Sequence, residues 1–107
     1  MSDYHESQNL ITRAQAATRV GQTVRARALF REAAEMQRRL VEAMPHEQVW
    51  TRLTFGLSAA SLFYKANDID EAERLARLFL AEAPMGQRAR GGLQALLRLI
   101  ENRHREA

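Results

Sequence analysis

The stretch from Tyr64 to Ala76 constrains this chain more than any other. It reads as the end of one helix, a tight turn at Asn67-Asp68, and the start of a second helix folded back on the first. Small side chains at Ala60, Ala66, Ala72 and Ala76 stand where two helical backbones have to come close. Asp68 is placed to cap the second helix, and Glu71, three residues on, to close a capping box. The pattern has an earlier counterpart. With Gly21 set against Asn67, Ala14 falls on Ala60 and Ala26 on Ala72, while Phe30 and Ala33 fall on Ala76 and Phe79 with large and small exchanged. A chain with two such hairpins is committed to helices packed on helices.

Punctuation elsewhere agrees. Two prolines and five glycines interrupt 107 residues, and β-branched residues are sparse, which predicts an all-α fold. Five helices are expected, at about 6–20, 24–43, 47–66, 69–83 and 87–104. The first carries the stripe Leu10, Ala14, Ala17 and ends at Gly21, a residue that tolerates the left-handed turn after a helix. The second repeats Ala26, Leu29, Phe30, Ala33, Met36, Leu40 and Met44 at helical period and stops at Pro45. In the third, Val49, Trp50, Leu53, Phe55, Leu57, Leu62, Phe63 and Tyr64 face nearly every direction, which places it at the centre. The fourth turns Ala72, Leu75, Ala76, Phe79 and Leu80 inward and ends at Pro84; the fifth turns in Ala89, Leu93, Leu96, Leu97 and Ile100. Gly91-Gly92 costs roughly 1 kcal/mol per glycine relative to alanine, and marks either a ragged start or a close backbone crossing. The organisation is one domain, 1–107, with hairpins at 6–43 and 47–83 and a capping helix at 87–104.

Composition narrows the function classes. Without cysteine there is no disulfide frame, thiolate nucleophile or Cys-based zinc site. The N-terminus is polar and acidic, unlike a signal peptide. The least charged run, 49–64, contains Arg52 and is shorter than the roughly 20 apolar residues of a membrane span. A cytoplasmic protein with no membrane partner is expected. Fifteen of the sixteen basic side chains are arginine, yet the net charge is only +3. Acids interleave with them at i,i+4, as in Arg31–Glu35, Glu35–Arg39 and Arg38–Glu42, which reads as solvated helix faces rather than a nucleic-acid surface. Charge also segregates: 68–84 is net acidic and 87–107 net basic, which suits steering of self-association or of a larger partner or, more simply, complementarity between the fourth and fifth helices.

No constellation for chemistry emerges. His46-Glu47-Gln48-Val49-Trp50 begins like a zinc-protease helix, but Trp50 stands where the second imidazole belongs. Asp68, Asp70, Glu71 and Glu73 are explained by the start of a helix, where acids are favourable. Gly91-Gly92 lacks a preceding strand and the spacing of a phosphate loop. No enzyme activity, cofactor, metal or small-molecule substrate is expected.

The succession Ala60, Asn67-Asp68, Ala72, Ala76, Phe79, Pro84, with Ala14, Gly21, Ala26, Phe30 and Ala33 before it, resembles the tetratricopeptide repeat family. The turns lie 46 residues apart rather than the family's roughly 34, so the second and third helices are lengthened. A compact bundle of repeat-like hairpins and a solenoid fragment both fit. The resemblance implies a non-enzymatic adaptor, of bacterial type, whose leading-helix face holds a protein segment. That face comprises Gln8, Ile11, Gln15 and Arg19 in the first helix, and Thr54, Leu57, Ser61, Tyr64 and Lys65 with Trp50 in the third. The carboxylate-clamping Lys and Asn of some members are absent, since Ile11, Gln15, Leu57 and Ser61 occupy those places. Trp50 and Tyr64 offer flat contact area or pack internally, and Arg19, Arg52 and Lys65 are available to an acidic segment. The partner expected is another protein or a second copy. The alternatives are a small basic regulator on nucleic acid and an accessory protein that masks an enzyme.

Overall fold

The structure, a computed structural model, describes residues 3–106. It is all-α, with α1 (Asp3–Arg19), α2 (Thr23–Glu42), α3 (Val49–Lys65), α4 (Ile69–Glu82) and α5 (Arg88–Glu106). Short loops make successive helices antiparallel neighbours, and α3 also packs on α5. The result is a slab of 41 × 40 × 18 Å, with α1, α3 and α5 in one layer and α2 and α4 in the other. As expected, α3 is central.

The two hairpin turns are the same object. After α1, Gly21 adopts φ 81°, its N–H donates to Thr18 O, and the Gln22 N–H donates to Ala17 O at 2.9 Å. After α3, Asn67 adopts φ 64°, its N–H donates to Tyr64 O, and the Asp68 N–H donates to Phe63 O at 2.9 Å. This paired bonding satisfies carbonyls that a helix end leaves open, and asparagine is among the few non-glycine residues that accept the left-handed conformation. The matched Ala14, Ala60, Ala26 and Ala72 are all buried, as are Phe30 and Phe79.

The α2–α3 and α4–α5 connections form a second repeat, which the sequence reading missed. In each, a proline carbonyl accepts the N–H of the glutamine three residues on, Pro45 from Gln48 and Pro84 from Gln87, at 3.1 Å. In each, the next helix sends a guanidinium back to carbonyls at the end of the previous one. Arg52 donates to Val41 O and Met44 O, and Arg90 to Leu80 O and Ala83 O. A cation at a helix C-terminus also offsets the macrodipole.

Glycines set how closely the helices cross. A Cβ on Gly56 would lie 2.7 Å from the buried ring of Phe79, and one on Gly92 would lie 2.5 Å from Leu57 Cδ2. Gly92 therefore marks a close crossing of α5 on α3, while Gly91 faces open space in a helix already regular from Arg88. Between α1 and α3 the opposite holds. Tyr4 packs edge-on against Phe55 with ring centroids 5.5 Å apart, and no Cα of α1 comes within 8 Å of α3 among the described residues.

Several electrostatic expectations are corrected. Asp68 occupies the cap position of α4 but makes no capping bond; its carboxylate lies 3.9 Å from Arg31. Glu71 does not close a capping box. It accepts from Arg74 Nε at 2.6 Å and from Arg38 of α2, because two charge-assisted bonds outweigh one backbone N–H. Of the i,i+4 pairs expected on α2, Arg38–Glu42 forms, while Arg31 and Arg38 reach across to α4. Among the described residues the acids of α4 are neutralised mainly by α2, α3 and α4 itself, and the contact from α5 is His104 with Glu73 at 3.4 Å. Trp50 is 63% exposed, so the apolar surround of α3 does not extend to its first turn.

Candidate functional site

Because α1 and α3 are held apart, a groove of ≈ 690 Å³ opens between their C-terminal ends, floored by α2. Gln15, Thr18 and Arg19 line it from α1, Thr23, Ala26, Arg27 and Phe30 from α2, and Lys65 from α3. Helical spacing explains the arrangement. Gln15 and Arg19 are one turn apart on α1, beside the buried Ala14 and Ala17 that seat it on α2. Ala26 and Phe30 are one turn apart on α2. Lys65 ends α3 and lays its ammonium 5.7 Å from the centroid of the Phe30 ring, a cation–π contact.

The charge of this groove is one-sided. Arg19, Arg27 and Lys65 line it and no carboxylate does. Neither arginine takes part in an ion pair among the described residues. Cations around a low-dielectric floor focus positive potential. The arrangement can hold a carboxylate or phosphate while an apolar side chain sits on Ala26 and Phe30.

Of the residues expected on the binding face, the structure brings Gln15, Arg19 and Lys65 together and separates the others. Trp50 and Thr54 are exposed near the start of α3, where Thr54 Oγ1 donates to Trp50 O at 2.8 Å. Trp50 is about 22 Å along the helix from Lys65. Leu57 is engaged at the Gly92 crossing, and Tyr64 is half-buried under the guanidinium of Arg103, 5.5 Å from its ring centroid. Ser61 is half-buried one turn from Leu57 and from Lys65, and Ile11 packs on the core. Sequence reasoning missed the α2 floor, Ala26, Arg27 and Phe30, by assigning the face to leading helices alone. A signal was present: residues 7–31 contain five arginines and no acid.

Arg52 is corrected from a candidate contact to a structural group. It is buried, with Nε 2.8 Å from Glu82 Oε1, Nη1 on two carbonyls, and its guanidinium 5.4 Å over the Phe79 ring. The bond to Glu82 holds its pKa above the ordinary arginine value against the effect of burial. The other displaced groups lie on α4. Glu71 is held down to about 2, first by the bond from Arg74 and also by Arg38. Glu73 is lowered mainly by Arg77, and Arg74 is raised by Glu71.

Among the described residues no group of three or more His, Asp or Glu side chains converges to hold a metal. Among the described residues no helix is long and apolar enough to cross a membrane. No family model matches the chain, and no curated protein or solved structure matches it.

Proposed function

We propose that this protein is a non-enzymatic interaction module, a repeat-like adaptor that holds an acidic, partly apolar segment of another protein between α1 and α3. The observation that carries this reading is the groove itself: an apolar floor of Ala26 and Phe30, cations at Arg19, Arg27 and Lys65, and no lining carboxylate. A segment with an aromatic or aliphatic side chain next to Asp or Glu complements both features. The equivalent turns at Gly21 and Asn67 support the likeness to tetratricopeptide hairpins, in which leading helices carry the binding face.

The test is fluorescence anisotropy with labelled peptides in which Leu or Phe alternates with Asp and Glu, against the same peptides with Lys and Arg for the acids. Acidic peptides bind and basic ones do not. Lys65→Glu and Arg19→Glu each weaken binding about fivefold or more, since each turns an attraction into a repulsion. Binding that ignores peptide charge, or that survives both reversals together, refutes the reading.

A further inference from the structure

We propose that the tip of the α1–α2 hairpin docks on an anionic phospholipid surface. At the apex, Val20 and Val24 stand on either side of the Gly21 turn and are 70% and 83% exposed. Turns favour polar residues, so two bare valines at the end of a hairpin are unusual. Guanidiniums flank them on both sides. Arg13 and Arg25 border a shallow hollow formed with Ala16, Ala17 and Val20. On the other side, Arg27 and Arg31 border a hollow with Val24 and Ala28.

These charges are available. Arg13, Arg25 and Arg27 form no ion pair among the described residues, and Arg31 has only Asp68 at 3.9 Å. The next acid along the chain is Glu32, which follows Arg31, and Asp68 at the neighbouring α3–α4 turn lies 3.9 Å from Arg31. Residues 7–31 carry no acid, so the basic surface is densest at the α1–α2 tip and adjoins Lys65 of the groove.

The combination of shape and charge selects the occupant. A nucleic-acid backbone complements the arginines and gains nothing from the valines. The two hollows beside the valines are shallow and rimmed by guanidiniums, unlike the apolar pockets in which protein–protein affinity concentrates. A bilayer interface uses both features: apolar side chains enter the acyl boundary while basic ones meet headgroup phosphates. The expected lack of a membrane partner rested on the missing spanning segment, which has no bearing on surface attachment.

The experiment is co-sedimentation of the whole protein with vesicles of phosphatidylcholine containing about 30% phosphatidylserine, at about 0.05 M salt, against pure phosphatidylcholine. Binding to the anionic vesicles alone is expected. Arg13→Glu with Arg25→Glu lowers it at least about 25-fold, near fivefold per arginine. Val20→Ser with Val24→Ser lowers it about tenfold. A positional readout accompanies these. Trp50 is the single tryptophan and belongs to the opposite end of the slab, so its emission stays unchanged on binding. Val24→Trp in a Trp50→Phe background shifts to the blue.

No sedimentation with anionic vesicles overturns the proposal, and so does binding that the valine pair does not affect. Capture of a duplex oligonucleotide at the same salt, undiminished in the valine variant, makes the tip a phosphate-backbone surface instead. None of Arg13, Val20, Val24 and Arg25 lines the α1–α3 groove, so failure here leaves peptide binding intact and the two readings fail separately.

Discussion

Replacing Glu71 by glutamine removes the charge that ties α4 to α2 and leaves a side chain of the same shape. Glu71 has a side-chain exposure of 17% and is shared by Arg38, at 31%, and Arg74, at 57%. Its carboxyl is lowered from 4.5 to about 2. If all of that shift reported on stability it would be worth about 3.4 kcal/mol. Arg74 is mostly in water, where such pairs contribute about 0.2–1 kcal/mol, so the expected loss on Glu71→Gln is about 1–2 kcal/mol. For a domain of this size that is a fall in Tm of roughly 5–10 °C. The sign with pH follows from the depressed pKa. The contribution is complete above the unfolded value near 4.5 and is lost as pH falls toward about 2. Urea unfolding of wild type and Glu71→Gln at pH 7 and near pH 3 therefore shows a gap that shrinks by more than half. Adding Arg38→Met to Glu71→Gln costs less than Arg38→Met alone, because the pair is already broken. A gap below about 0.5 kcal/mol at pH 7, or one that does not change with pH, refutes the role of Glu71 as the charge linking the two helices.

Further outcomes are expected from thermal or urea unfolding. Gly91→Ala stabilises by up to about 1 kcal/mol, because its Cβ enters open space and alanine favours the helix; Gly56→Ala destabilises by about 1–3 kcal/mol, because the Phe79 ring is buried and cannot yield. Arg52→Met costs about 2–3 kcal/mol by stranding Glu82 and the carbonyls at the end of α2, and Glu82→Gln in that background restores part of the loss. Gln37→Leu holds or raises stability, since Gln37 Oε1 is buried without a hydrogen-bond partner while Ser7 keeps its bond to Tyr4 O.

The helices were legible because their signals are local. Pro45, Pro84 and Gly21 end elements by covalent geometry, and the 3.6-residue recurrence of Leu10, Ala14 and Ala17 or of Ala72, Leu75, Ala76 and Phe79 needs no knowledge of a partner. The likeness of the two hairpins was legible for the same reason, since Gly21 and Asn67 each answer a local demand for positive φ. The candidate site was legible only in part. Gln15, Arg19 and Lys65, read as parts of one face, do line one groove, whereas Trp50, Thr54, Leu57, Ser61 and Tyr64 were grouped with them by shared helix face. One face of α3 extends over about 22 Å and meets different surroundings along its length.

Periodicity, turn chemistry and the placement of small residues in the chain thus determined five helices and their antiparallel succession. Tertiary structure decided the distances between helices, and with them the groove: Gly92 lets α5 close on α3, while Tyr4 against Phe55 keeps α1 away from it. It also decided which arginines are occupied, since a guanidinium on a long side chain takes whichever carboxylate or carbonyl the packing brings within reach. Arg38 and Arg52 are engaged by Glu71 and Glu82 from α4, and Arg19 and Arg27 are left facing the groove. Spacing along one helix sets a side chain's direction, but the neighbour it meets there is contributed by residues distant in the sequence.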